Sequence, residues 1–363
     1  MSHVNTRWKT IAVNGRFLSQ RITGVQRYAY ELLNAIDDLL TAKQIEIVPV
    51  TVFVPPDTKH IPSWTSLNIR KVGRFTGQLW EQIDLAHHAR GSLLFTASGG
   101  APLLHDRHVF VIHDAAPFAR PDAYSFAYRT YYQTLEKLLA RRAKHIITLS
   151  QFSQDELLRY LRMDESKISF TWLSGEHILR IAKDDSILEK HGLVPNRFVL
   201  AVGSRNPNKN QHGLIAAIQY LKNTNVTVAI AGGSNSIIFG DAGKMTDSVK
   251  ALGFVSDEEL RSLYEHAACF VFPSFYEGFG LPPLEAMTLG TPVVVSRAAS
   301  LPEVFGDAAL YCDPHSPEDI ARQISQVLQG NMPSRERALK HASGFTWERC
   351  ARQTWDVLLR ALD

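Results

Sequence analysis

The run Cys269-Phe-Val-Phe-Pro-Ser-Phe-Tyr-Glu-Gly-Phe-Gly-Leu-Pro-Pro-Leu-Glu-Ala-Met-Thr-Leu-Gly-Thr-Pro-Val-Val-Val-Ser296 contains a whole structural unit. Cys269–Pro273 is short, apolar and aromatic, which predicts a buried strand. A loop with glycines at 278 and 280 follows. Pro282 then opens a helix that runs to Leu289 and is closed by Gly290, because proline suits the first helical turn and glycine the end. Val293–Ser296 is a second buried strand. Strand, helix and strand in this order form a βαβ unit, whose strands lie parallel in a sheet covered on both faces.

The same alternation extends in both directions. Upstream, Phe198–Gly203 and Val226–Ala231 read as strands. His212–Leu221 and the stretch opened by Ser256 and closing at Ala268 read as helices. Downstream lie helices at Ser316–Gln329 and Thr346–Leu362. The first half repeats the pattern with strands at Thr10–Asn14, Ile45–Val54, Leu93–Thr96, His108–His113 and His145–Leu149. Its helices are Gly24–Leu40, Ala123–Ala143 and Ser153–Tyr160, the last capped by Ser150 or by Ser153 with Glu156. Length agrees, since 363 residues suit two domains of similar size. The chain therefore reads as α/β, with two doubly wound halves joined between about Ser174 and Pro195. Such sheets bind ligands at the carboxyl ends of their strands.

Composition narrows the function. Hydrophobic residues are 45% and charged residues 21% of the chain, which excludes a disordered or fibrous protein. The three cysteines are far apart, so neither a disulfide framework nor a zinc site is expected, and a reducing compartment fits. No signal peptide or membrane-spanning run is legible, which predicts a cytoplasmic protein with at most peripheral membrane contact. Residues 1–180 hold 22 Lys and Arg against 16 Asp and Glu, and the remainder 17 against 20. The basic half suits anionic lipid or a phosphorylated substrate, or is ordinary surface asymmetry. Nucleic-acid binding has no supporting motif.

Three loops carry chemistry. In the first, Glu277 and Glu285 stand eight residues apart, one before the helix and one about a turn inside it. Free N–H groups at the helix start favour an anion. In the second, Gly203-Ser204-Arg205-Asn206-Pro207-Asn208-Lys209-Asn210 places two cations on a turn after a strand, suited to a diphosphate. In the third, Asn14-Gly15-Arg16 leads through Thr23 to Gly24 at a helix start. His113-Asp114 ends a further strand, where an imidazole can meet a sugar hydroxyl. His105 and His108 do not make a metal site with it, because the spacing fits neither one strand face nor a helical pair.

The segment Glu277–Glu285 resembles the Glu-x7-Glu signature of retaining glycosyltransferases of the GT-B fold, in glycosyltransferase family 4. The resemblance implies two Rossmann-like domains: an acceptor domain at 1–180, a nucleotide-sugar domain at 181–345, and a helix at 346–363 that crosses back to the first. It implies that Glu277 lies against the donor sugar, that backbone groups of Gly278, Phe279, Gly280 and Leu281 contact sugar and phosphate, and that Glu285 holds the ribose hydroxyls. It gives Arg205 and Lys209 the leaving diphosphate, although Ser204 occupies the place where the family commonly has arginine. Gly203 and Gly24 approach the donor, Val255 meets the nucleobase, and His113 with Asp114 meets the donor sugar. Asn14–Leu18 and Gly24–Tyr28 resemble the subgroup that builds bacterial O-antigens, which implies GDP-mannose as donor and a glycan or polyprenyl-diphosphate-linked acceptor at the inner membrane. No Asp-x-Asp occurs, so no metal cofactor is expected. The rival readings are a GT-B phosphorylase, a nucleotide-sugar epimerase and a non-catalytic scaffold of polysaccharide assembly. A dinucleotide-dependent dehydrogenase lacks its Gly-x-Gly-x-x-Gly after the first strand.

Overall fold

The protein is described by a computed structural model covering residues 10–221, 226–233 and 248–363. It folds as two units. Unit 1 takes the described residues up to Ala119, then Ser125–Leu173 and Trp347–Asp363. Unit 2 takes Arg120–Tyr124 and Ser174–Thr346. The junction after Leu173 falls earlier in the chain than the division at 180 read from the sequence.

Unit 1 is built on seven strands: β1 (Ile11–Asn14), β2 (Val50–Val54), β3 (Leu67–Lys71), β4 (Leu93–Thr96), β5 (His108–Val111), β6 (His145–Thr148) and β7 (Ile168–Phe170). Their order is β3-β2-β1-β4-β5-β6-β7, with every pair parallel. Central strands β1, β4 and β5 are buried at every position, which explains their mostly apolar character. The helix Gly24–Thr41 packs one apolar face inward, including Tyr28, Leu32, Leu33 and Ile36. Thr23 is its N-cap, and the Thr23 backbone N–H donates to Gln26 Oε1 at 3.1 Å. The helix Gln151–Leu161 is capped by Ser150, which accepts from the Ser153 N–H at 3.1 Å, so of the two serines offered by the sequence Ser150 is the cap. The terminal helix Trp347–Leu362 returns to this unit: the Trp347 ring lies 6.1 Å from that of Tyr28, and Arg107 Nη2 donates to the Leu362 carbonyl at 2.7 Å.

Among the described residues, unit 2 has six strands: β8 (Phe198–Val202), β9 (Thr227–Ala231), β10 (Val249–Gly253), β11 (Cys269–Phe272), β12 (Val293–Ser296) and β13 (Leu310–Cys312). Their order is β10-β9-β8-β11-β12-β13, again parallel throughout. One face is closed by Gln211–Ala217 and Pro317–Leu328, whose Leu214, Ile320 and Ile324 join Val199, Ile230 and Val271 in a single core. Both sheets are doubly wound and α/β. In each, strand order reverses beside the first strand of the unit, at β1/β4 and at β8/β11. Chains leaving those neighbouring strands diverge to opposite faces and leave a crevice at the carboxyl ends.

Candidate active site

Gly203–Asn210 leaves β8 and Pro273–Gly280 leaves β11, so the two strongest motifs meet where unit 2 reverses strand order. Their geometry is set by asparagines. Asn206 Oδ1 accepts from the Asn208 N–H at 2.8 Å and shapes the single 3-10 turn Pro207–Lys209. Asn210, at φ +51°, caps the next helix, and its Nδ2 donates to the carbonyls of Pro273 at 3.0 Å and Pro314 at 2.7 Å. The Phe275 N–H donates to the Asn208 carbonyl at 2.8 Å, stitching the two loops together. Lys209 Nζ consequently donates to both carboxylate oxygens of Glu277, at 2.7 and 3.0 Å, and sits 5.1 Å from the centroid of the Phe272 ring. Ser300 Oγ donates to the Glu277 carbonyl at 2.9 Å. Arg205 is exposed on the same loop, against Gly233. A Cβ at Gly203 would come 3.2 Å from the Lys209 side chain, so the small residue gives the lysine its path.

The helix Leu281–Thr288 starts from Gly280 at φ +100°. Phe279 and Leu281 turn their side chains into the core, the former edge-on to Phe345 at 6.0 Å. Gly278 and Gly280 are buried beside them. Glu285 is 7% exposed and has a partner on each oxygen: His177 Nε2 lies 3.0 Å from Oε1, and the Tyr264 hydroxyl donates to Oε2 at 2.8 Å. Since a carboxylate only accepts, His177 carries its hydrogen on Nε2. Burial, then the neighbouring Glu285 charge, lifts the Tyr264 phenol well above its ordinary range and keeps it a donor. Val255 follows β10, where the Gly232 N–H donates to the Gly253 carbonyl at 2.6 Å.

The remaining residues singled out in the sequence, Gly24, His113 and Asp114, belong to unit 1. Nothing lies within 4 Å of where a Gly24 Cβ would stand. β5 ends at Val111, two residues before His113, so the histidine stands in the loop beyond the strand it was expected to close. Its Nε2 is 3.2 Å from the Ala97 carbonyl and its ring meets Tyr28 edge-on at 5.1 Å. Burial pushes the imidazole down to about 4, so it is neutral near pH 7; Nε2 is protonated and Nδ1 is an acceptor. Asp114 Oδ1 accepts from the Ala116 N–H at 2.7 Å. Sequence reading missed His177, Tyr264 and Ser300, and it included Asn210 in the basic turn without a role of its own.

Comparison with known proteins bears on the family and the fold. Residues 22–171 match the family described as Glycosyltransferase Family 4, and residues 184–344 match Glycosyl transferases group 1. O-antigen chain mannosyltransferase B of Escherichia coli is 35% identical over 268 residues, 69% of each chain. O-antigen chain mannosyltransferase RfbU of Salmonella typhimurium is 28% identical over 332 residues, 87% of this chain and 90% of that one. Among solved structures, sucrose-phosphate synthase of Thermosynechococcus elongatus superposes with a TM-score of 0.71 at 17% identity, over 98% of this chain and 99% of that one. The fold is GT-B, and the chain belongs to glycosyltransferase family 4.

Proposed function

We propose that the protein transfers mannose from GDP-mannose, with retention of anomeric configuration and without a metal ion, to a glycan or polyprenyl-diphosphate-linked acceptor during polysaccharide assembly. The donor sugar is favoured by the relatives, which are O-antigen chain mannosyltransferases. The observation that carries the site is the Lys209–Glu277 pair held at the strand reversal of unit 2. Breaking the sugar–phosphate bond builds negative charge on the leaving diphosphate. Lys209, the exposed Arg205 and the N–H groups around Gly280 supply positive charge that is oriented before reaction, which stabilises the transition state more than mobile water would. Glu277 holds Lys209 in place and turns its carboxylate toward the sugar. Glu285 retains free lone pairs on both oxygens and takes the ribose hydroxyls. The nucleobase lies along the backbone near Val255.

In unit 1, Gly24 leaves space for a phosphate, and neutral His113 offers Nδ1 to a sugar hydroxyl. Unit 1 takes the acceptor, whose hydroxyl attacks from the face the diphosphate leaves and passes its proton to the departing phosphate oxygen. No helix among the described residues is long and apolar enough to cross a membrane. A lipid-linked acceptor is therefore met through peripheral contact, for which the exposed Phe126 and Tyr128 beside Arg129 are suited.

The test is calorimetric titration with GDP, UDP, dTDP and ADP, without added metal. GDP binds in the micromolar range and the others more weakly. Lys209→Ala loses about a hundredfold in turnover with GDP-mannose, on the scale of removing one preorganised charge-stabilising donor. Absence of binding by all four nucleotides, or strict dependence of turnover on Mn²⁺ or Mg²⁺, rejects this reading.

A further inference from the structure

The carboxyl end of the unit 1 sheet holds a second polar constellation, which the donor chemistry above does not use. Asn14, the last residue of β1, is buried. Its Nδ2 donates to Glu81 Oε1 at 2.5 Å and to the Gly100 carbonyl at 3.4 Å, and its Oδ1 accepts from the Arg16 N–H at 3.1 Å. Glu81 is 1% exposed and comes from a wide π-helical turn, Trp80–Leu85. Such turns recur at functional sites because they re-aim a side chain at some cost in backbone hydrogen bonding. Arg16 Nη2 stands 3.5 Å from Glu81 Oε2, a loose pairing for charges so little solvated. Burial raises the Glu81 carboxyl in spite of Arg16 and Asn14.

The floor and wall of this place are also specific. A Cβ at Gly99, where φ is +77°, would lie 3.1 Å from Arg16 Nη2, and one at Gly100 would lie 3.2 Å from Glu81 Oε2. Tyr131 is 38% exposed and its ring meets Tyr132 edge-on at 5.2 Å. The same Gly100 Cβ would lie 3.2 Å from Leu135 Cδ2, and Tyr131 stands one turn before Leu135 on the helix Phe126–Arg142, which brings the tyrosine pair to the side of the ion pair. A core built for stability alone would fill the Glu81 position with an apolar side chain. A loosely paired arginine beside an exposed and a half-buried tyrosine instead offers a fork of donors, phenolic hydroxyls and an aromatic face, which is the set that hydroxyls and C–H faces of a sugar require.

We propose that Arg16, Tyr131 and Tyr132 form the subsite for the sugar unit of the acceptor, with Asn14 and Glu81 as positioning residues that hold the Arg16 guanidinium. This rests on the glycosyl-transfer reading. Arg16 donates to acceptor hydroxyls, Tyr131 stacks on the sugar face, and the ligand completes the hydrogen bonding that Glu81 leaves unfilled on Arg16.

The probes are methyl α-mannopyranoside and a mannose disaccharide, titrated into the full chain in the presence of saturating GDP and followed by ligand-observed NMR. GDP affinity is measured separately by calorimetry. Wild type binds at least one glycan probe. Arg16→Gln and Tyr131→Ala weaken that binding tenfold or more, and both leave GDP affinity within twofold and melting within about two degrees. Glu81→Gln weakens glycan binding less than Arg16→Gln, and the double variant adds nothing to Arg16→Gln alone. Failure of wild type to bind either probe, or equal binding in the Arg16 and Tyr131 variants, overturns the proposal. If wild type binds the glycan but no nucleotide, the subsite stands and the donor assignment falls.

Discussion

Glu285 accepts one hydrogen on each carboxylate oxygen, from His177 and from Tyr264, with only 7% of its surface open to solvent. A buried carboxylate oriented by two donors presents its remaining lone pairs in fixed directions, so a ligand that uses them does not have to order the side chain first. His177→Ala removes one donor and leaves a cavity in which the carboxylate can rotate. The expected result is a GDP dissociation constant raised about tenfold, which corresponds to ~1.4 kcal/mol, the size of one hydrogen bond to a charged group. His177→Asn restores part of it, while a purely structural role would lower the melting temperature and leave the affinity of the folded protein unchanged. Calorimetry on both variants separates these outcomes. Glu277 and Glu285 were legible in the sequence because their spacing is local, within one strand–loop–helix. His177 is 108 residues distant from Glu285 and lies on the short 3-10 turn Glu176–Arg180, so no periodicity in the chain links it to the helix it supports.

At the scale of elements, the turn into Leu281–Thr288 depends on Gly280. A side chain there would have to adopt φ +100°, and its Cβ would meet Leu301 Cδ2 at 2.7 Å and the Phe305 ring at 3.2 Å. Both contacts are with buried side chains, so neither can swing aside. Gly280→Ala is expected to cost about 2 kcal/mol or more, from backbone strain and overpacking together. The N–H groups of the first turn also shift, so nucleotide affinity falls along with the denaturation midpoint; an unchanged affinity in the folded variant argues against backbone contact to the donor phosphates. The same scale explains what sequence reading recovered. Central strands such as β1, β4, β11 and β12 are buried along their whole length and announce themselves as mostly apolar runs. Strands β3, β7, β10 and β13 went unread, and they are the four sheet edges. An edge strand is covered less completely, so β3 can read Leu-Asn-Ile-Arg-Lys with only Leu67 buried, Ile69 shielded in part and Asn68, Arg70 and Lys71 exposed. Burial, the source of the pattern, is weaker there.

For the molecule as a whole, the two units should respond differently to acid. His105, His108, His113 and His145 are all held below the ordinary 6.5, and all lie in unit 1. Burial is the leading cause for each; it takes His108 down to about 3 and His113 and His145 to about 4. In unit 2, His191 is lowered as well, by burial and then Lys190, but it is only half-buried. The unfolded chain binds protons at these imidazoles below about 6.5 and the folded chain does not. Their contribution to stability is therefore complete above 6.5 and drains away as the pH falls toward 4. Glu81 and Glu136, raised by burial in the same unit, act in the opposite sense: they hold a proton to higher pH in the folded chain than in the unfolded one, and their contribution diminishes as pH rises past 4.5. Comparing variants cancels that second effect. GDP should raise the melting transition of unit 2, by linkage to the folded donor site, and so identify it. The other transition is expected to fall as pH is lowered from 7 to 5. In His108→Gln, which removes the group with the lowest value, the difference in melting temperature from wild type should shift in the variant's favour across that interval. A difference that stays constant from pH 7 to pH 5 would mean that His108 does not titrate on unfolding, and the acid sensitivity of unit 1 would then have to come from its other buried histidines.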